Sequence, residues 1–289
     1  MTTEIKPFIK WVGGKRQLIP QMEKYLPREE FNDYYEPFAG AGALFFYMLP
    51  ENAYINDMNT ELINTYRVIR DDVENLIKIL KIHEKNNTKE YYYSIRYWDR
   101  QKGYNNRSNT TKAARFIYMN KVGFNGLYRV NLKGQFNVPY GKYTNPNICD
   151  EELLRNISKY LNEKKIEFSS VDFEQAVKNV ERGDFVYFDP PYDPISKTSS
   201  FTEYQKGGFD QNEQKRLKKV ADDLVLRGAK VVLSNSNTQF INNLYSNKIN
   251  GAKSDINYFI VELVDANRNI NSKADRRGKI KEVLIISKD

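Results

Sequence analysis

The stretch Asp33-Tyr-Tyr-Glu-Pro-Phe-Ala-Gly-Ala-Gly-Ala-Leu-Phe-Phe-Tyr-Met-Leu49 reads as a strand, a glycine turn and an apolar helix, the opening of an α/β unit. A second strand follows at Ala53-Tyr-Ile-Asn-Asp57, and Leu62, Tyr66, Ile69, Val73, Leu76 and Leu80 then recur at the spacing of one helix over 61–80. From about residue 83 to 147 the pattern is lost in a segment rich in Tyr, Asn and Arg, with one helix predicted over 111–121. Alternation resumes with a strand at Ile166-Glu-Phe-Ser-Ser, a helix over 173–180 and the buried strand Phe185-Val-Tyr-Phe188. A helix over 212–226 and strands over 230–234, 259–264 and 282–287 complete the series. The prediction is α/β: one doubly wound sheet built from 1–60 and 160–289, interrupted by a mostly helical insert over 61–159 that carries a β-hairpin.

Composition narrows the chemistry. A chain of 289 residues with 40% hydrophobic content can build its own core. Its longest apolar runs, such as 43–49 and 283–286, fall far short of the roughly 20 residues that span a bilayer. The opening MTTEIKPFIKW lacks the apolar run of a secretory signal, so a cytoplasmic location is expected and no membrane partner. Cys149 and His83 are the sole residues of their types, which excludes a disulfide framework and a Cys/His zinc site. Chemistry therefore falls to carboxylates, amides, hydroxyls or an organic cofactor, with no metal expected.

Charge is uneven. Residues 84–147 hold twelve Lys/Arg, among them Arg96, Arg100, Lys112, Arg115, Lys121 and Arg129, against the acids Glu84, Glu90 and Asp99, a net of +9. The whole chain carries +8, so the remainder is close to neutral. A basic segment with nine tyrosines is the footprint expected for contact with a phosphate backbone, the alternative being a solvated basic surface.

In Pro37-Phe38-Ala39-Gly40-Ala41-Gly42, glycines at a strand-to-helix turn let a ligand approach the main chain, although a tight turn with nothing bound has the same composition. Asp57, at the end of the second strand, is placed to accept from ribose hydroxyls or else to cap the next helix. Phe45 stands where a dinucleotide-binding GxGxxG needs its third glycine. A ligand with adenosine, no phosphate and a cationic sulfonium suits Glu36, Phe38, Gly40, Gly42 and Asp57 better: S-adenosylmethionine (AdoMet). Upstream, Trp11 and Lys15 in Phe8-Ile-Lys-Trp-Val-Gly-Gly-Lys-Arg-Gln17 offer an indole wall and a partner for a ligand carboxylate, or an arm packed into the core. The spacing of a phosphate loop is absent there.

Asp189-Pro190-Pro191-Tyr192 follows a strong strand, where open α/β sheets place reactive groups. Two prolines fix the backbone and remove two amide donors. Adenine's amino nitrogen is a poor nucleophile because its lone pair is delocalised into the ring. Hydrogen bonds accepted from its two N–H groups by Asp189 and the Pro190 carbonyl favour the pyramidal form that attacks a methyl group. Tyr192 is placed to stack on the flipped base.

With these motifs the sequence resembles the DNA adenine methyltransferase (Dam) family, D12 class, over nearly its whole length. The resemblance rests on FIKWVGGKRQL, YYEPFAGAGALFF, AYIND, NGLYRVN with GQFNVPYG, GDFVYFDPPY and a strand ending in LSNSN. It implies AdoMet contacts from Trp11, Lys15, Asp57 and Asp189, and a target-recognition insert acting on double-stranded DNA within GATC. It also implies that Arg129 reads guanine, that Asn125, Leu127 and Pro139 meet neighbouring bases, that Phe124 fills the gap left by the flipped adenine, and that Asn131 and Lys142 belong to the same surface. Phe124 stands where some members carry Tyr, which keeps the stacking and removes a hydroxyl. A monomer in solution, nucleoid-associated and functionally linked to a restriction endonuclease without a stable complex, is expected. Methylation of cytosine N4, RNA or a protein glutamine amide is the rival enzymatic reading; a DNA-binding module that no longer catalyses is the non-enzymatic one.

Overall fold

A computed structural model describes residues 4–27, 31–194, 208–246, 257–267 and 279–288. Among these residues lies a seven-stranded sheet: β1 (Tyr34–Glu36), β2 (Asn52–Asn56), β3 (Lys165–Ser169), β4 (Phe185–Phe188), β5 (Lys230–Ser236), β6 (Phe259–Asn267) and β7 (Lys279–Ser287). The strand order is β3-β2-β1-β4-β5-β7-β6. β1 pairs in parallel with β2 and β4, and β4 with β5, whereas β7 is antiparallel to both β5 and β6. The chain is thus mixed α/β. Chain order reverses at β1, which has β2 on one side and β4 on the other, and such a switch opens a crevice beyond the carboxyl ends of the strands.

The helices are α1 (Ile19–Met22), α2 (Phe45–Met48), α3 (Thr60–Asp71), α4 (Val73–Lys85), α5 (Lys89–Arg96), α6 (Asn109–Val122), α7 (Glu151–Glu163), α8 (Phe173–Ala176), α9 (Gln211–Leu226) and α10 (Gln239–Tyr245). No helix among the described residues is long and apolar enough to cross a membrane. The chain divides into two compact units, one formed by residues 1–14, 39–51 and 57–170, the other by 15–38, 52–56 and 171–289.

In the second unit every residue of β4 is buried, as a strand flanked on both sides requires, so its apolar run shows no alternation. Leu217, Ala221 and Leu224 of α9 recur at helical spacing and join Val186, Phe188, Val231, Leu233 and Ile285 in one core. Asp210 starts α9 by accepting from the amides of Asn212 and Glu213 at 2.8 and 2.9 Å.

In the first unit the helix expected over 61–80 is two helices. Asp72 leaves helical geometry (φ −148°, ψ 41°), and its carboxylate takes hydrogen bonds from Asn75 and Thr110. The apolar spacing continues through the break, so periodicity does not register it. Asn59, not Asp57, caps α3, accepting from the amides of Glu61 and Leu62. The helices expected after the glycine turn and over 173–180 are single turns, the first ended by Leu49 in the left-handed region (φ 46°).

Candidate active site

In the second unit, β4 delivers Asp189-Pro190-Pro191-Tyr192-Asp193, and donors from other elements hold this loop because its prolines supply none. The buried Gln214 of α9 donates to the Pro191 carbonyl at 2.9 Å and accepts from Asn235 at 3.0 Å. Asn235 accepts from the Asp193 amide at 3.2 Å. The Ser236 hydroxyl donates to the Asp193 carbonyl at 2.7 Å, and Thr238 and Gln211 donate to the Asp193 carboxylate at 2.7 and 3.3 Å. Among the described residues no donor reaches the Pro190 carbonyl. Of the two proline carbonyls, that of Pro191 is committed to the fold.

Lys15, buried at 5% exposure, places its ammonium 3.1 Å from Asp189 Oδ1 and 4.3 Å from the centre of the Tyr192 ring. Its partner here is therefore Asp189. Burial pushes the Asp189 carboxyl up to about 6 against the opposing pull of Lys15. The Tyr192 hydroxyl donates to Glu282 Oε2 at 2.8 Å. Glu36, buried at the end of β1, accepts from the Tyr34 hydroxyl at 2.7 Å. Phe38 packs among Phe173, Phe188 and Phe209.

In the first unit, Gly40 and Gly42 hold positive φ of 51° and 67°. A Cβ on Gly40 would meet the Trp11 ring at 2.6 Å, and one on Gly42 the Tyr66 hydroxyl at 2.8 Å. Trp11 thus lies directly on the glycine turn, its other neighbours being Tyr128, stacked at 5.7 Å, and Phe116. Asp57 accepts from the amides of Gly40 at 3.0 Å and Asn59 at 2.8 Å, one on each oxygen. Burial raises its pKa and these two amides oppose the rise. Each carboxylate oxygen has two lone pairs, so an acceptor remains on either one, a set that fits the paired hydroxyls of a ribose. An indole wall, a turn in which any side chain would collide and a diol acceptor fit AdoMet. Among the described residues no cluster of His, Cys, Asp and Glu is arranged to hold a metal ion.

The expected hairpin is present as antiparallel bridges between Val130 and Phe136 and between Gly123 and Tyr140, shorter than a ladder of strands. Phe124 is 42% exposed, and Pro139 and Lys142 are exposed as well. Asn125 and Lys142 are left-handed, with φ of 56° and 54°. Leu127 is half-buried. Arg129 is exposed and holds Asn137 twice, through Nε to Oδ1 at 2.7 Å and through Nη2 to the carbonyl at 3.4 Å. Asn131 serves the turn itself: its Oδ1 accepts from the amides of Lys133 and Gln135, both at 3.0 Å.

Beneath the hairpin, Asp99 accepts from the Phe136 amide at 2.7 Å and from Arg115 at 2.8 Å. Arg100 donates to the Phe136 carbonyl, and Arg96 and Tyr92 donate to that of Val138. Arg115, 2% exposed, also donates to the carbonyls of Ile95 and Arg96. Several cations of the basic segment thus hold the hairpin in place, so the net charge overstates what Arg115 in particular offers to solvent. Asn120, fully engaged, exchanges two hydrogen bonds with the Lys10 backbone and donates to the Gly126 carbonyl.

Sequence reasoning passed over Glu282, Gln214, Asn235, Asp99 and Asn120. Gln214 was detectable, because 214, 217, 221 and 224 form the buried stripe of α9 and a lone amide on such a stripe needs partners. The others have no pattern that separates them from surface polar residues.

Residues 11–268 match the family model described as D12 class N6 adenine-specific DNA methyltransferase. The chain is 47% identical to the Type II methyltransferase M1.LlaDCHI of Lactococcus lactis subsp. cremoris, covering 97% of this chain and 95% of that one. It is 43% identical to the Type II methyltransferase M.MjaIII of Methanocaldococcus jannaschii, with 98% and 99% covered. The DNA adenine methylase of Escherichia coli (strain K12) is 30% identical, with 98% and 95% covered.

Proposed function

This chain belongs to the D12 class of N6 adenine-specific DNA methyltransferases, and from that premise we propose that it methylates adenine within GATC in duplex DNA after turning the base out of the helix. AdoMet supplies an electrophilic methyl group on a cationic sulfonium, and Trp11, Lys15, Glu36, Phe38, Gly40, Gly42, Asp57 and Asp189 would hold it. Asp189 and the Pro190 carbonyl accept the two N–H bonds of the adenine amino group, which localises the nitrogen lone pair for attack. Tyr192 covers a face of the base. Arg129 reads guanine, Asn125, Leu127 and Pro139 meet the adjoining bases, Phe124 enters the vacated stack, and Asn131 and Lys142 complete the surface.

The observation that carries this reading is the division of roles in the loop after β4. Gln214 engages the Pro191 carbonyl, whereas among the described residues no donor reaches that of Pro190, which supports its role as the second acceptor. The relatives named Type II methyltransferases support a functional link with a restriction endonuclease, for which no stable complex is proposed. The enzyme then works as a monomer in the cytoplasm, on the nucleoid. Single-molecule sequencing of DNA from a host expressing the gene tests reaction and site together: N6-methyladenine in GATC is expected, and modification of another base or another motif overturns the corresponding part. Asp189→Ala is expected to abolish tritiated-methyl transfer while DNA binding persists; turnover at the parental rate refutes the role of the loop.

A further inference from the structure

Glu282 has no part in the roles above, yet it is a carboxylate of 12% exposure in the same cluster. Its Oε2 accepts from the Tyr192 hydroxyl at 2.8 Å and lies 3.9 Å from the Lys15 ammonium. That ammonium is shared, since it also stands 3.1 Å from Asp189 Oδ1 and over the Tyr192 ring. Two carboxylates, one ammonium and one phenol therefore form a single unit, contributed by the segment before α1, by β7 and by the loop after β4. A carboxylate moved out of water is costly unless partners offset the loss, and here the partners are the very groups assigned to the base and the cofactor.

We propose that Glu282 is a positioning residue for methyl transfer, holding the plane of Tyr192 through its hydroxyl and drawing Lys15 away from exclusive pairing with Asp189. The inference rests on the roles given to Asp189 and Tyr192 above. An aromatic ring attached at Cβ and tethered at its hydroxyl has no freedom to tilt, which a stacking surface requires. The ammonium is a point charge with three donors, so a second carboxylate at its other side competes for it. Asp189 thereby keeps acceptor capacity for the amino group of the base. Among the described residues, the charged and titratable groups facing Asp189 are Lys15 from the N-terminal segment, Glu282 from β7, Tyr187 from β4 and Tyr192 from its own loop; Glu282 raises its pKa and Lys15 lowers it.

The test uses full-length Glu282→Ala and Glu282→Gln with Asp189→Ala in parallel. Single-turnover transfer of tritiated methyl to unmethylated genomic DNA is followed across pH, AdoMet affinity by calorimetry and folding by thermal melting. Glu282→Ala is expected to lose about tenfold or more in transfer rate while AdoMet affinity changes little. Glu282→Gln keeps an oxygen for the Tyr192 hydroxyl and recovers most of that loss. In both, the acid limb of the rate profile moves to lower pH by about half a unit or more, because a negative neighbour of Asp189 is gone. A merely structural role changes the melting temperature and leaves the acid limb in place. If Asp189→Ala is inactive and the Glu282 variants keep the parental rate and acid limb, this inference alone is overturned. Parental transfer by Asp189→Ala overturns the underlying roles and the inference with them.

Discussion

Replacing Asp99 by Asn removes one charge and almost no volume from beneath the hairpin bridged at Val130–Phe136 and Gly123–Tyr140. The Arg115 guanidinium, 2% exposed, then retains its backbone acceptors at Ile95 and Arg96 but has lost its counter-charge. Breaking one side of a buried ion pair costs about 3–5 kcal/mol, and the surviving carbonyl contacts place this case near about 3 kcal/mol. The introduced amide oxygen still accepts from the Phe136 N–H, whereas Asp99→Ala orphans that donor and adds about 1–2 kcal/mol. Against a total stability of about 5–15 kcal/mol, either loss is large. Urea denaturation reads it as a fall in the midpoint at unchanged slope. Because Asp99 and Arg100 fix the two polar groups of Phe136, the hairpin should loosen as well, and discrimination between target and substituted duplexes should fall. Arg115→Met in the Asp99→Asn background is expected to recover part of the stability, since the guanidinium of 2% exposure is then absent and the Phe136 N–H keeps an acceptor; Arg100, the other partner of Asp99, stays charged but is less buried. A parental midpoint in Asp99→Asn, within about 1 kcal/mol, refutes the reasoning.

Transfer should require ionised Asp189, whose carboxyl lies at about 6. Below that pH the rate is expected to fall about tenfold per unit, and a limb near the ordinary carboxylate value counts against it. The same shift affects stability with a definite sign. A folded pKa above the unfolded value of 3.8 makes this group's contribution greatest below that value and lost as pH rises through about 6, which melting curves on Asp189→Asn detect. Gly40→Ala should weaken AdoMet binding by about tenfold or more in calorimetry, because the new Cβ lies 2.6 Å from the Trp11 ring at a φ of +51°. Gln214→Leu keeps the bulk on the α9 stripe but releases the Pro191 carbonyl; the expected loss is in kcat rather than in AdoMet affinity, and unchanged kcat contradicts the bolting role.

The fold was legible where burial leaves a simple pattern. β4 is apolar throughout because both of its faces are covered, and the motif after it stands out for that reason. The glycine turn was legible through its chemistry, since two left-handed positions flanking Ala41 favour glycine. What escaped was direction. A count of cations cannot tell Arg115, facing inward onto Asp99, from Arg129, facing outward from the hairpin. The stretch 233–237 read as the end of a strand, while the same residues supply the amide and hydroxyl that hold the loop of Asp193. Glu282 was invisible because one acid in a terminal strand looks like any solvent-facing residue until β7 is placed next to β5.

One buried amide sets a limit on how this enzyme acquires new target sequences. Asn120 ties the arm that leads into Trp11 to the carbonyl of Gly126, between Asn125 and Leu127 of the segment proposed to meet bases. Grafting a recognition loop from a relative therefore has a natural seam after position 126: exchanges beyond it leave the tie intact, and exchanges across it disturb the wall of the cofactor turn together with the specificity. On the proposed roles, Phe124 and Asn125 travel with the arm and the turn as a fixed chassis, and the positions from 127 on are the exchangeable part.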